Sequence, residues 1–146
     1  MPLVVVVCSK KFQKILLEFQ KKYPDKLFLS HIPYAELPLA YQAAKLFLFP
    51  SLFEGFGFPV LEAQSVGTPV FSSNASVLPE VLDASYEPFD PKDSQSFQTK
   101  LLSLLKDQKR SQTLAKLGIK NAARFTWLSA IQKLKQVYQP LISQHF

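Results

Sequence analysis

An apolar run, Leu46-Phe47-Leu48-Phe49, stops at Pro50, and two glycines, Gly55 and Gly57, then lead through Phe58-Pro59 into a helical pattern. A short run of large apolar residues bounded by a proline reads as a buried strand. Glycines let a backbone come close to a ligand, and proline suits the first position of a helix. The unpaired N–H groups of a helix start attract anions. A strand, a glycine loop and a helix in this order form a ligand-binding loop, and two carboxylates, Glu54 and Glu62, flank it. With residues 59–67 helical, Glu62 stands about one turn inside the helix, near enough to share a ligand with Glu54.

The rest of the chain repeats the alternation. Leu3 to Val7 is β-branched and apolar on both faces, as a central strand of a parallel sheet would be. Phe12, Ile15, Leu16, Phe19 and Tyr23 then recur at helical spacing, with lysines between them. Leu27 to Leu29 offer a second strand, residues 35–44 a short helix and Leu46 to Phe49 the third strand. After a helix over 60–66 ended by Gly67, residues 69–72 make a fourth strand. The cluster Ser72-Ser73-Asn74-Ala75-Ser76 is then a loop at a strand's carboxyl end, where open α/β sheets place ligands. A helical turn at 79–83 and a last strand within 84–89 follow, and the pattern is helical over about 94–140. Trp127 and the phenylalanines follow apolar spacing and read as core. The fold class is therefore α/β, with a Rossmann-like parallel sheet flanked by helices in a single domain covering residues 1–146.

With 146 residues, 47% of them hydrophobic, the chain has enough apolar material for one core. The net charge of +6 is uneven: residues 46–95 carry one basic and seven acidic groups, and residues 96–146 nine and one. Such basic flanks admit peripheral contact with an anionic membrane, although scattered lysines are usually only solvated, and no nucleic-acid motif accompanies them. The lone cysteine, Cys8, excludes an intramolecular disulfide and a cysteine zinc site, and reads as a core residue. The apolar run at residues 3–8 is too short to span a bilayer, so the expected location is the cytoplasm.

An ordered series of motifs resembles the group 1 glycosyltransferases, retaining enzymes of the GT-B fold. The series is Phe49-Pro50-Ser51, then Glu54-Gly55-Phe56-Gly57-Phe58-Pro59-Val60-Leu61-Glu62-Ala63, then Gly67-Thr68-Pro69-Val70 and Leu78-Pro79-Glu80-Val81. Asp90-Pro91 and Arg124-Phe125-Thr126-Trp127 extend it. The resemblance implies that the domain corresponds to the carboxyl-terminal, donor-binding half of a GT-B enzyme, and that an amino-terminal acceptor domain is absent from these residues. It implies nucleoside-diphosphate sugar as donor substrate, an unknown acceptor, and no metal or other cofactor.

By the same resemblance Glu62 accepts hydrogen bonds from the ribose hydroxyls, and Glu54 lies near the hydroxyls of the transferred sugar and steadies its cationic transition state. Backbone groups over Gly55, Phe56, Gly57, Phe58, Val60 and Leu61 meet the sugar and diphosphate. Carboxylates suit vicinal hydroxyls as acceptors, and helix-start amides suit phosphate. Asn74 and Ser76 are pocket candidates, although such residues form turns first. His31 reads as an exposed loop residue, and Glu80 as a cap or a contact.

The series also departs from the family. The basic pair that holds the donor diphosphate there has no counterpart upstream of Leu3, and Cys8-Ser9-Lys10-Lys11 replaces a glycine loop. Lys10 and Lys11 are substitutes for that pair or merely solvated. The terminal helix, which in two-domain relatives crosses to the other domain, is expected to expose apolar surface here, for self-association or for a partner. Three functions follow: a donor-binding transferase domain, a non-catalytic module that serves as the subunit of an acceptor-domain chain, or a phosphate site in an unrelated α/β enzyme.

Overall fold

A computed structural model describes residues 2–6 and 10–143, which divide into two compact units, residues 1–40 and 41–146. In the first unit, β1 (Leu3–Val6) pairs in parallel with β2 (Leu27–Ser30), from Leu3 opposite Leu27 to Val6 opposite Ser30. Parallel neighbours need a crossover, which α1 (Lys10–Lys22) supplies. Two strands and a helix cover little apolar surface. Leu27 is buried, whereas Leu3, Val4, Ile15, Phe19 and Phe28 are exposed. The expectation of a central strand buried on both faces is thus corrected, because β1 has one neighbour among the described residues. Val7, Cys8 and Ser9 lie outside the described residues, as do the side chains of Lys10 and Lys11.

A 3-10 turn (Tyr34–Glu36) and α2 (Leu37–Ala43) lead to the second unit. Its sheet has the order β3 (Phe47–Phe49), β4 (Val70–Ser73), β5 (Glu87–Phe89), all parallel. Among the described residues the strands thus form two hydrogen-bonded parallel sheets, within the expected α/β class. Each crossover is helical: α3 (Phe58–Ser65) joins β3 to β4, and α4 (Leu78–Leu82) joins β4 to β5. Then come α5 (Ser94–Lys106), α6 (Gln108–Ala122) and α7 (Trp127–Ser143).

The strand period of two sorts the core onto the two faces of this sheet. Val70 packs with Val60, Ala63, Leu78, Leu82 and Tyr86, joined by Tyr41, Phe47 and Phe49. Phe71, next in sequence, packs with Phe89, Leu104 and Leu114, joined by Leu46, Leu48, Phe97 and Leu101. Phe71 and Phe89 meet at a tilt of 42° with ring centres 4.5 Å apart. All four residues of β4 are buried, which makes it the axis of the unit.

A polar network crosses this core. The Gln64 amide nitrogen donates to the Ser85 carbonyl and hydroxyl at 3.0 and 2.8 Å. The Asn121 amide donates to Gln64 Oε1 and to the Val81 carbonyl, each at 2.9 Å. Gly118 lets α6 close on α3, since a Cβ there would stand 3.0 Å from Gln64 Cγ. The buried amides lock α3, which carries the glycine loop, against α6.

The aromatic residues divide differently from the expectation. Phe71 and Phe89 are core, but Trp127 is 82% exposed and Phe53 84%, with Phe58 and Phe125 also exposed. Helical spacing marks a shared face but cannot say whether anything covers it. On α7, Trp127, Leu128, Ile131, Leu134, Val137 and Tyr138 are all exposed, in line with the expected apolar surface on this helix. No helix among the described residues is long and apolar enough to cross a membrane.

Candidate functional site

The carboxyl ends of the parallel strands β3 and β4 lie side by side, so the loops that follow them, residues 50–57 and 74–77, share one end of the sheet. This is where side chains at the strand ends are presented to a ligand in open α/β folds. The backbone ladder between β3 and β4 closes at the pair Phe49 and Ser72. Pro50, lacking an N–H, cannot extend it.

Gly57 turns the chain from the loop into α3. Its φ of +90° is left-handed, and a Cβ there would come within 2.9 Å of Leu78 Cδ2. Both the conformation and the packing demand glycine. At Gly55 a Cβ would meet nothing within 4 Å, so no packing demand acts there. Phe58 opens α3 and Pro59 is its second residue, one position later than expected. Val60 and Leu61 bury their side chains in the core, so only their backbone can face a ligand. The Val60 N–H turns back to the Gly57 carbonyl at 3.2 Å. The Phe56 ring leans on Phe58 and Phe125, with centres 4.9 and 5.5 Å away.

The two glutamates are held differently. Glu54 is half-buried, its backbone is tied to Ser76, and its carboxylate takes no hydrogen bond or ion pair among the described residues. It caps no amide. Glu62, also half-buried, receives the Tyr41 hydroxyl at Oε2, 3.1 Å away. The salt bridge found among the described residues, Arg110 with Glu87 at 3.0 Å, involves neither. Both carboxylates thus keep acceptor capacity.

Of the pocket candidates, Ser76 reaches the glycine loop, while Asn74 is exposed at the end of β4 and donates its backbone N–H to the Phe89 carbonyl. His31 and Glu80 are exposed. A cleft of about 330 Å³ lies near the same strand ends, lined by Pro50, Leu52, Phe89, Pro91, Ser94 and Phe97. It contains no charged group to recognise a phosphate or polyol, and the glutamate loop remains the chemically equipped site. Tyr41, Ser72 and Ser73 support this site; the two serines belong to the cluster expected at the strand's end, although they close β4 and do not lie in the loop, whereas Tyr41 was not identified from sequence. Its signal is purely spatial, because a hydroxyl's partner far along the chain leaves no periodicity.

A parallel α/β unit with a glycine loop at its strand ends and two carboxylates beside it has the fold of one half of a GT-B glycosyltransferase. The family description "Glycosyl transferases group 1" matches residues 6–122, and the chain belongs to that family. It is 35% identical over 114 residues to an O-antigen chain mannosyltransferase B of Escherichia coli, covering 78% of this chain and 30% of that protein. Its fold superposes on sucrose-phosphate synthase from Thermosynechococcus elongatus with a TM-score of 0.82 at 24% identity, covering 97% of this chain and 39% of that one. It also superposes on Anabaena HepE in complex with UDP-glucose, with a TM-score of 0.77 at 18% identity over 97% of this chain and 41% of the other. The chain thus spans well under half the length of these proteins.

Proposed function

We propose that this chain is the donor-binding part of a retaining glycosyltransferase that takes a nucleoside-diphosphate sugar. The observation that carries the reading is the Glu54 carboxylate, half-buried beside a glycine loop and engaged by nothing among the described residues. A partly exposed carboxylate with no partner keeps its oxygens available to accept from a ligand's hydroxyls. The likeness to a mannosyltransferase and to a fold solved with UDP-glucose supports the same class of donor.

In this reading Glu62, steadied by Tyr41, accepts from the ribose hydroxyls, and the backbone over Gly55 to Leu61 meets the diphosphate and sugar. As the bond from sugar to diphosphate lengthens, positive charge grows on the sugar ring, and Glu54 stabilises it electrostatically. The acceptor oxygen bonds to the anomeric carbon on the face from which the diphosphate departs, and the leaving phosphate takes the acceptor's proton, which retains configuration. Amide dipoles balance the diphosphate charge without a metal. Asn74 contributes at the pocket rim. The single cysteine fits a cytoplasmic setting.

Calorimetric titration with uridine, guanosine and adenosine diphosphate sugars tests the reading. Saturable binding of one of them is expected, and no binding of any at millimolar concentration refutes it.

A second reading rests on α7. Its exposed apolar side chains, from Trp127 to Tyr138, suit a surface covered by an acceptor-carrying polypeptide or by a second copy, with this chain as the donor-side subunit. A copurifying chain that restores transfer supports this version, and transfer by the isolated chain refutes it.

A further inference from the structure

Three hydroxyls of one short segment reach across to the end of β3 and to the glycine loop that follows it. Ser72 donates to the Phe49 carbonyl at 3.2 Å, Ser73 donates to the Ser51 carbonyl, and Ser76 engages Glu54. Ser72 acts at the last pair of the ladder, and Ser73 and Ser76 continue the contact past the point where Pro50 ends it. The serine hydroxyls supply donors to the carbonyls of Phe49, Ser51 and Glu54.

The Ser76 contact differs from the other two because it is double. Its hydroxyl donates to the Glu54 carbonyl at 3.0 Å and accepts from the Glu54 N–H at 3.3 Å. Both backbone polar groups of one residue are thereby held by one oxygen. Ser76 does this from a left-handed backbone, φ 57°, a conformation that a residue with a Cβ rarely adopts. Glu54 has no other hydrogen bond among the described residues, and Gly55 beside it has nothing packed within 4 Å of a Cβ position. The backbone of Glu54 is therefore held through Ser76, and with it the point from which the side chain leaves the loop.

We infer that Ser76 is a positioning residue: its hydroxyl fixes the backbone of Glu54 and so aims the carboxylate at the sugar of a bound donor. This rests on the donor-binding reading above. Ser72 and Ser73 anchor the loop's stem, whereas Ser76 acts on the one residue whose orientation the sugar would sense.

The test uses the full chain and compares UDP-glucose with UDP, and GDP-mannose with GDP, by calorimetry. Ser76→Gly keeps the left-handed backbone accessible and removes the hydroxyl. For whichever pair binds, it is expected to weaken the nucleotide sugar about tenfold while the bare nucleotide changes less than about twofold. In a Glu54→Ala background the same substitution should have no further effect on the sugar, since the group it aims is gone. Equal loss for sugar and bare nucleotide, no loss for either, or full additivity with Glu54→Ala overturns the inference while leaving donor binding standing. Where wild-type protein binds none of the four, the same comparison is made with ADP-glucose and ADP, and failure there too refutes the donor reading, and this inference with it.

Discussion

The Tyr41 hydroxyl donates to Glu62 Oε2 at 3.1 Å, linking the end of α2 to the interior of α3 across 21 positions of sequence. The same tyrosine is anchored elsewhere as well: its carbonyl accepts the Thr68 hydroxyl at 2.7 Å, and its ring meets Phe47 edge-on at 5.1 Å. Glu62 is thus held from outside its own helix.

Removing the carboxylate and removing its holder should differ in effect. Glu62→Ala is expected to weaken donor binding by about 10- to 100-fold, the cost of losing charged acceptors for ribose hydroxyls. Tyr41→Phe leaves the carboxylate in place and should cost about 1 kcal/mol of stability with a smaller loss of affinity. Calorimetric titration and urea denaturation measure the two effects.

The two loop glycines should separate folding from binding. Gly57→Ala forces a Cβ into a left-handed conformation and against Leu78, and should destabilise by about 2–4 kcal/mol. Gly55→Ala meets no atom and should leave the urea midpoint almost unchanged, while weakening the donor if its backbone approaches there. A stable Gly57→Ala protein would contradict the packing assigned to Leu78.

Asn121→Ala should be costly for its size. It strips donors from the Gln64 side-chain oxygen and the Val81 carbonyl and an acceptor from Arg124, whose guanidinium donates to Asn121 Oδ1 at 3.0 Å. Leaving two buried acceptors unpaired should cost about 2–5 kcal/mol, read from denaturant unfolding.

Burial pushes the Tyr86 phenol above its usual value of 10.0. Above pH 10 the unfolded chain sheds this proton before the folded chain does, so the folded state binds more protons and stability falls as pH rises. The contribution is full below pH 10 and is lost up to the folded value. Tyr86→Phe should flatten this alkaline decline, measured as urea midpoints across that range.

Much of the fold was legible because strands and helices impose different periods on the same apolar residues. Leu46 to Phe49, Pro69 to Ser72 and the helices after Ser94 all formed close to where the pattern placed them. The last strand shrank to Glu87–Phe89, since Ser85 and Tyr86 turn into the core before the ladder begins. Trp127 and Phe53 show the limit of periodicity, which groups side chains without supplying what covers them.

The candidate site was half legible for a related reason. Glu54, the glycines and Glu62 are close in sequence, so their spacing around one helix start already relates them. Ser76, Ser73 and Tyr41 lie 21 or 22 positions from the groups they hold, and no local pattern records that meeting. The sequence by itself determined the alternation of elements, the glycine loop and the two carboxylates, because these follow from local sterics and burial. Only the tertiary structure decided that the Glu54 backbone is held by a serine and the Glu62 carboxylate by a tyrosine, because the parallel register of β3 and β4 and the packing of Tyr41 against Phe47 and the core beside α3 bring those hydroxyls into reach.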